Sequence, residues 1–255
     1  MKNSNENIQK RREDLRSLLK EAGTLTVRQL SQNLAVSELT IRRDLDILEK
    51  MGLIQRQHGS ASYIPETTLE DFNAEIENIK ERIAKQAANL VHEGDTVFVN
   101  TGTTALAALK FIQDKRVTIV TNNIKVATVE HHPDSVIIFS GGEIRFPKET
   151  LVGDIAIDSF SRMRSDVTIL GCSGLTVQDG FTTSVLHEAK VNAAILKHSP
   201  GIKIVVADYR KIGVSSNYTS GSLEDIDVLI TDSFANPDVL KEVEAHDVQI
   251  IQIPV

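Results

Sequence analysis

The sequence contains little of several residue types on which whole classes of protein depend. Of its 255 residues one is cysteine, none is tryptophan, and aromatic residues make up 4 %. The lone Cys172 excludes an intramolecular disulfide framework and a zinc site built from several cysteines. No apolar run reaches the roughly 18 residues that a membrane helix needs, and the first residues are polar and basic, unlike a secretory signal. With 41 % hydrophobic residues the chain can bury a normal core, so we expect a soluble, cytoplasmic protein without a membrane partner.

Net positive charge is found only in the first part of the chain. Residues 1–60 carry eleven lysines and arginines against eight acids, whereas the rest carries 17 against 27, within a net charge of −7. A basic head on an acidic body favours a polyanion as the partner of the head alone. Binding of single strands by base stacking needs aromatic side chains, and residues 1–62 contain none. Duplex DNA is therefore the expected polyanion.

Three short amphipathic segments and a hairpin pattern fill residues 8–64. The predicted helices and strands lie at residues 9–22, 27–34, 38–51, 53–56 and 61–64. Thr26 and Ser37 are suited to cap the second and third helices, and apolar residues at i, i+4 and i+7 from Ile41 form the buried stripe of the third. This order is typical of a winged helix-turn-helix, whose third helix fits the major groove of duplex DNA.

The third helix carries polar side chains beside its buried stripe, and these can reach base edges or phosphates. The candidate DNA-binding residues of the head are Thr26, Ser37, Thr40, Arg42, Arg43, Arg56 and His58. The last two lie on the predicted wing, where they would neutralise flanking phosphates. An alternative is that Arg42, spaced four residues from both Glu38 and Asp46, belongs to a solvated, ion-paired helix face.

Three motifs of the head are informative when they are taken together. They are Leu39-Thr40-Ile41-Arg42-Arg43-Asp44-Leu45, Leu48-Glu49-Lys50-Met51-Gly52-Leu53-Ile54 and Arg56-Gln57-His58-Gly59-Ser60-Ala61. On these motifs, residues 11–62 resemble the DeoR-type winged helix-turn-helix, which implies sequence-specific binding to double-stranded operator DNA. The family commonly has glycine where this chain has Ser60, a departure that affects the geometry of the wing tip.

Strands and helices alternate after a polar, unpatterned segment at residues 65–74, which we interpret as a linker. In the body, residues 75–255, strands are predicted at 96–100, 117–121, 135–140, 167–171, 203–207, 228–231 and 248–253. Helices are predicted at 76–91, 105–112, 124–131, 154–163, 184–198 and 237–245. This alternation favours a Rossmann-like, mostly parallel α/β sheet that is covered on both faces.

Ligands of such sheets bind outside the carboxyl ends of the strands, so the residues that follow each strand are the candidates. Residues 100–104 open directly into a helix, where a close backbone, helix amides and threonine hydroxyls suit a phosphate group. Asn122 and Asn123 suit sugar hydroxyls, and Arg145 suits a phosphate. Each motif also has an ordinary interpretation as a cap or a turn, and only their convergence at one sheet edge indicates an anion-binding pocket.

Several short motifs are spread along the body. They are Gly102-Thr103-Thr104, Thr121-Asn122, Gly141-Gly142 with Arg145, Gly180-Phe181-Thr182, Glu188-Ala189, Asp208 with Lys211, and Thr231-Asp232. On these motifs, residues 79–255 resemble the sensor domain of DeoR-family repressors, whose fold is similar to that of ribose-5-phosphate isomerase. The resemblance implies a phosphorylated sugar or polyol effector. The candidate effector-binding residues are Thr101, Gly102, Thr103, Thr104, Asn122, Asn123, Gly142, Arg145, Ser173, Gly174, Glu188, Asp208 and Lys211.

The rival hypothesis is a sugar-phosphate isomerase-like enzyme fused to a DNA-binding head. Glu188 and Lys190 could act as base and electrophile in such chemistry. The isomerase-like enzymes, however, carry an acidic cluster after a central strand, whereas residues 171–174 of this chain contain no acid. Phosphate-binding nucleotide loops, nucleophile elbows and metalloprotease motifs are missing from the sequence, so we predict no catalytic residue, no metal and no cofactor. We expect a homodimeric or homotetrameric repressor of a carbohydrate-metabolism operon that its effector releases from the operator.

Overall fold

The computed structural model describes residues 5–50, 53–57, 59–64 and 66–255. The chain divides into two units, Met1–Glu75 and Ile76–Val255. The sequence predicts that the body begins at residue 75, one residue before the start of the second unit. Within the described residues, no helix is long and apolar enough to cross a membrane.

The first unit has the order of elements that is typical of a winged helix-turn-helix. Its described elements are α1 (Asn5–Ala22), β1 (Thr24–Thr26), α2 (Val27–Leu34), α3 (Glu38–Lys50), β2 (Ile54–Gln57) and β3 (Ser60–Tyr63). Strand β3 pairs antiparallel with both β1 and β2, so the predicted hairpin is part of a three-stranded sheet. The sequence does not predict β1, because three residues are too few for a periodic signal and only the pairing with β3 makes them a strand.

Side-chain caps and a small apolar core position the helices of this unit. Thr26 Oγ1 accepts a hydrogen bond from the Gln29 amide at 3.2 Å, and Gln29 Oε1 accepts one from the Thr26 amide at 2.9 Å. Ser37 Oγ accepts a bond from the Thr40 amide at 3.2 Å, so both predicted caps are confirmed. The buried core consists of Leu15, Leu19, Val27, Leu30, Ile41, Leu45, Leu48, Ile54 and Ala61.

The segment that we interpret as a linker is helical in the structure. Helix α4 runs from Glu66–Ala88 and so includes most of residues 65–74. Within its described part, Ile76, Ile79 and Ile83 recur at spacings of three and four residues and are buried. Residues 66–75 contain no glycine or proline, and extending an existing helix adds one hydrogen bond for each residue fixed. The helix predicted at residues 76–91 therefore begins ten residues earlier than expected, and the segment that we interpret as a linker is helical over residues 66–74.

The second unit is built around a parallel sheet of seven strands. Its strands are β4 (Thr96–Val99), β5 (Thr118–Thr121), β6 (Val136–Phe139), β7 (Glu143–Arg145), β8 (Thr150–Val152), β9 (Val167–Gly171), β10 (Gly174–Thr176), β11 (Gly180–Thr183), β12 (Ile202–Val206), β13 (Tyr218–Gly221), β14 (Val228–Asp232) and β15 (Gln249–Ile253). Its helices are α5 (Thr103–Ala108), α6 (Asp154–Ser161), α7 (Leu186–Lys197) and α8 (Pro237–Glu244). The large sheet has the order β15-β14-β12-β9-β4-β5-β6, and every pair in it is parallel. The predicted fold class is confirmed.

Two further small sheets and two short turns depart from the prediction. Strands β7 and β8 form an antiparallel hairpin, and β10, β11 and β13 form a separate sheet. These strands of three or four residues lie between stronger signals, and long-range pairing alone defines them. The helix predicted at residues 124–131 is a 3-10 turn, Ile124–Thr128, and the helix predicted at 105–112 ends in a second such turn, Leu109–Phe111.

Candidate functional site

The carboxyl ends of β4 and β9 border a cavity of about 240 Å³. Strand β5 lies on one side of β4 and β9 on the other, so the order of strands reverses at this point. Loops that leave neighbouring strands toward opposite faces open a crevice there, which is where open α/β sheets bind ligands. Of the predicted effector-binding residues, those that line the cavity are Thr101, Gly102, Thr103, Thr104, Asn123, Ser173, Glu188, Asp208 and Lys211.

A buried asparagine joins the two strand ends at the base of the cavity. Asn100 Nδ2 donates to the Gly171 carbonyl at 2.9 Å and to Asn192 Oδ1 at 3.1 Å. Its Oδ1 accepts bonds from the amides of Gly102, at 3.0 Å, and Gly171, at 2.9 Å. A Cβ atom on Gly102 would lie 2.5 Å from the Gly171 Cα, so this close approach of two backbones requires glycine.

The helix that follows β4 presents backbone donors to the cavity. Gly102 is the N-cap of α5 and supplies no side-chain hydrogen bond. The amides of the first helical turn have no acceptor within the helix, and here no cap side chain accepts from them either. Together with the hydroxyls of Thr101, Thr103 and Thr104, which line the same wall, these amides can donate to the oxygen atoms of an anion.

Positive side chains from separate segments surround the cavity. The cations among the lining residues are Lys80, Lys125, Lys148, Arg210 and Lys211, and the acids are Glu188 and Asp208. Lys80 Nζ bonds Glu77 at 2.6 Å, and Arg210 forms two bonds to Asp208 at 2.7 and 3.0 Å. Five cations against two acids make the cavity positive within an acidic body, which favours an anionic ligand.

Arg210 and Asp208 influence each other's protonation. Burial acts to raise the pKa of Asp208, but the hydrogen bonds and charge of Arg210, together with the charge of Lys211, outweigh it and lower the pKa below its ordinary value of 3.8. The bond to Asp208 in turn raises the pKa of Arg210. Both groups therefore stay charged at neutral pH, and Arg210 is held at the cavity wall.

The low pKa of Asp208 predicts a contribution to stability that is lost in acid. Because the pKa is lower in the folded state than in the unfolded state, the carboxylate stabilises the fold above about pH 4 and loses this effect as the pH falls through the lowered pKa. We expect the free energy of unfolding of Asp208→Asn to depend less on pH between about pH 5 and pH 2 than that of the wild type. Urea unfolding of the full chain at several pH values measures this, with the exposed Asp114→Asn as the matched control. If the free energy of unfolding depends on pH identically in the wild type and in Asp208→Asn, the pKa of Asp208 is not lowered by folding.

Cys172 also lines the cavity, and its environment keeps it protonated. Burial raises the pKa of the thiol to about 12, although the positive charge of Lys211 acts in the opposite direction. A thiol with this pKa carries almost no thiolate at neutral pH, and only the thiolate is nucleophilic. Cys172 therefore lines the cavity as a small, non-nucleophilic side chain.

Glu188 is a buried acid with one unused oxygen atom. Its side chain lies at the start of α7 and is 3 % exposed as a residue. Oε2 accepts bonds from Lys148 Nζ at 2.9 Å and Thr183 Oγ1 at 3.0 Å. Among the described residues, no group donates to the buried Oε1. Because a buried acceptor without a donor is costly, this atom is suited to accept a bond from a ligand.

Four predicted effector-binding residues do not line the cavity. Asn122 donates to the Leu151 carbonyl at 3.1 Å and so fastens β8. Gly142 and Gly174 are needed for close backbone approach, since an added Cβ would lie 2.4 Å and 2.1 Å from the carbonyl oxygens of Val152 and Val214. Arg145 is exposed and pairs with Glu143 at 2.6 Å, because the unpredicted hairpin of β7 and β8 determines its position.

Other cavity residues are missing from the sequence-based set. Lys148 lies in the turn of the β7–β8 hairpin, Lys80 on α4, and Asn192 on α7. Only the pairing of distant segments places them here, and no local pattern identifies them. Arg210 could have been included from the sequence, because it lies two residues after Asp208 at the end of a predicted strand.

The structure also places most of the candidate DNA-binding residues. Arg42 and Arg43 are exposed on α3, and Arg42 is 3.4 Å from Glu38, as the ion-paired alternative expects. Arg56 on β2 pairs with Asp46 and Glu49 of α3, so it holds the wing against this helix. The hydroxyls of Thr26, Ser37 and Thr40 take part in helix capping. His58 lies outside the described residues.

A buried carboxylate orients α3 within the head. Asp44 accepts a bond from Arg11 Nε at 2.6 Å and from Arg12 Nε at 3.0 Å, and its side chain is almost completely buried. Its neighbour Arg43 thereby faces outward while Asp44 connects α3 to α1. Among the described residues, no group of three or more histidine, cysteine, aspartate or glutamate side chains could hold a metal ion.

Comparisons with known proteins match both parts of the chain. Residues 11–67 match the DeoR-like helix-turn-helix domain, and residues 76–233 match the DeoR C terminal sensor domain. The glycerol-3-phosphate regulon repressor of Escherichia coli (strain K12) is 33 % identical over 239 residues, 91 % of this chain and 94 % of that protein. The HTH-type transcriptional regulator GolR of Listeria innocua is 32 % identical over 231 residues, 88 % of this chain and 91 % of the relative. Among solved structures, ribose 5-phosphate isomerase from Plasmodium falciparum aligns with a TM-score of 0.38 and 15 % identity over 52 % of each chain.

Proposed function

The chain belongs to the DeoR family of DNA-binding transcriptional regulators, and from this premise we propose that it represses a carbohydrate-metabolism operon and leaves its operator when a phosphorylated sugar or polyol binds at the strand-end cavity. The observation that carries the proposal is the convergence of five cations and the uncapped start of α5 on one polar cavity. Such a site suits a ligand that has a concentrated negative charge.

The two ends of this ligand would meet different groups. The phosphate would lie against the start of α5, within reach of Lys211 and Arg210, where backbone amides and cations supply donors. The hydroxyls would lie toward Glu188 and Asn123, whose oxygens accept bonds. The Escherichia coli relative is named as a repressor of a glycerol-3-phosphate regulon, which agrees with a phosphorylated polyol as the class of effector.

The enzyme alternative paired Glu188 with Lys190, and this pair is not assembled at the cavity. Lys190 is exposed and does not line the cavity, while Oε2 of Glu188 already accepts two hydrogen bonds. The Cys172 thiol is protonated at neutral pH. The family matches show a regulator rather than an enzyme, so the cavity is assigned to binding without turnover.

Repression would need two copies of the head on one operator. A two-fold assembly places two α3 helices on two half-sites, so we propose a homodimer or homotetramer that recognises a near-palindrome or repeated half-sites. An effector releases the protein from DNA only if it binds the DNA-free conformation more tightly than the DNA-bound one, and such differences in binding free energy are typically about 1–3 kcal/mol. Size-exclusion chromatography with light scattering determines the oligomeric state.

The effector proposal predicts a phosphate-dependent rise in melting temperature. A ligand at about 100 times its Kd stabilises the folded state by about 2.7 kcal/mol, which is a rise of roughly 5–10 °C for a unit of this size. We expect this rise with one compound among glycerol 3-phosphate and pentose and hexose phosphates, and none with its dephosphorylated form. Differential scanning fluorimetry of the full chain makes the measurement.

Variants separate the proposed cavity from nonspecific binding. Lys211→Met should lose most of the rise, whereas the exposed Lys197→Met should keep it. The compound should also release the wild-type protein from its operator in a fluorescence anisotropy titration. If no compound raises the melting temperature, or if Lys211→Met responds like the wild type, the proposed effector site is wrong.

A further inference from the structure

The helix that would enter the DNA groove carries one large apolar side chain on its outer face. Leu39 is 60 % exposed, although it lies only two residues after the N-cap Ser37 of α3. The buried core of the head contains three apolar side chains from the same helix, Ile41, Leu45 and Leu48. Leu39 therefore contributes little to the folding of the head.

The position of Leu39 on the helix surface places it between the two exposed arginines. Successive residues of an α-helix are separated by about 100°, so residues three and four positions apart lie on one face. Leu39 precedes Arg42 by three residues and Arg43 by four, and the buried stripe lies on the opposite side of the helix. An apolar group is thus flanked by two guanidinium groups on the face that points away from the core.

The geometry points to Leu39 as the residue that recognises a thymine methyl group in each operator half-site. The first residues of the recognition helix are those that contact base edges in a helix-turn-helix complex. The C5-methyl group of thymine is the apolar feature of base edges in the major groove, and apolar side chains contact it. Burial of the methyl group against Leu39 removes both from water, whereas a cytosine at the same position offers a polar edge.

This inference rests on the proposed binding of the head to operator DNA, and it adds a contact that the arginines do not make. Guanidinium groups pair with guanine edges or phosphates. They cannot distinguish thymine from uracil, because these bases differ only in the methyl group. Leu39 would therefore determine a separate position of the operator sequence.

The test compares thymine and uracil at single operator positions. Full-length protein first selects an operator from randomised duplexes. Each thymine of the half-sites is then replaced by deoxyuridine, in both half-sites together, and the Kd is measured at one fixed salt concentration. At one position we expect the replacement to weaken wild-type binding about fourfold per half-site, the effect of burying one methyl-sized group.

Variants of Leu39 complete a double-mutant cycle. Leu39→Ala should weaken binding to the thymine operator by a similar or larger factor, and it should bind the uracil operator no more weakly than the thymine operator. Leu39→Met should keep most of the preference for thymine, and the exposed Leu186→Ala should behave as wild type. Melting curves of each variant, unchanged from wild type, show that the head is folded.

Two kinds of result would overturn the inference. The first kind is a wild-type protein that binds every uracil operator as tightly as the thymine operator, or a Leu39→Ala variant that keeps the full preference for thymine. Either result would show that Leu39 does not contact the methyl group, although the protein still recognises its operator. If the wild type selects no sequence above random duplexes, operator recognition itself fails and the inference fails with it.

Discussion

Replacement of Asn100 by alanine is expected to lower the free energy of unfolding of the second unit by about 3–4 kcal/mol. The side chain makes four hydrogen bonds, and its removal leaves the amides of Gly102 and Gly171, the Gly171 carbonyl and Asn192 without their partner. Each buried group that loses its partner costs about 1–3 kcal/mol, and water can compensate for only some of them. Urea denaturation of the full chain measures the effect, and the exposed Asn89→Ala is the matched control.

A second variant at the same position tests which groups the base of the cavity requires. Asn100→Asp keeps the acceptor for the two amides but loses both donors, and it adds a negative charge at the base of the cavity. We expect a loss of stability at least as large as for Asn100→Ala, because the second carboxylate oxygen would face the Gly171 carbonyl and Asn192 Oδ1 and the charge would be buried. We also expect loss of the rise in melting temperature with a phosphorylated effector, because like charges repel. An Asn100→Ala protein as stable as the Asn89→Ala control would show that this asparagine does not hold the two strand ends together.

Replacement of Arg43 by alanine is expected to weaken operator binding by about 1–3 kcal/mol, roughly 5- to 150-fold, if the side chain pairs with a guanine. Arg43 is exposed on α3, and the buried pairing of its neighbour Asp44 with Arg11 and Arg12 fixes the rotation of this helix. Arg42→Ala should weaken binding less, because Arg42 already lies 3.4 Å from Glu38. Fluorescence anisotropy with an operator duplex measures both, and the exposed Arg164→Ala is the control in the second unit.

The salt dependence of these variants distinguishes base recognition from a phosphate contact. Loss of a phosphate contact lowers the slope of log K against log salt by about one and weakens binding to all sequences alike. Loss of a guanine contact leaves the slope nearly unchanged and relaxes the sequence preference at one position. If both Arg42→Ala and Arg43→Ala bind the operator as tightly as the wild type, α3 is not the recognition helix.

Much of the architecture follows from local patterns of sequence. The apolar runs of the large sheet, such as residues 167–171, are buried on both faces and are bounded by turns, so length and composition are enough to predict them. The caps at Thr26 and Ser37 depend on residues at most three positions away. Parallel strands also have a fixed polarity, which is why residues 101–104 and Asp208 could be assigned to one edge before any coordinates.

The errors at the cavity share a cause, which is pairing between segments that are far apart in sequence. Arg145 was expected at the cavity, yet the hairpin of β7 and β8 keeps it exposed beside Glu143 and brings Lys148 to Glu188 instead. Lys80, in the part of α4 that belongs to the second unit, lines the cavity, and nothing in the sequence of residues 66–88 alone identifies the ligand-facing side. A strand of three residues is too short to show an alternation of polar and apolar residues, and only its pairing with another segment makes it a strand.

The sequence by itself determined the division into a basic head and an acidic body, the helix-turn-helix pattern, the alternation of strands and helices, and the edge of the sheet at which polar loops meet. Each of these depends on burial periodicity, capping or charge within a few residues. Only the tertiary structure decided which cations surround the cavity, that no described group donates to one oxygen of Glu188, and that Asn100 joins two strand ends 71 residues apart. Those properties arise from hydrogen bonds and ion pairs between remote segments, whose geometry is fixed only when the whole core has packed.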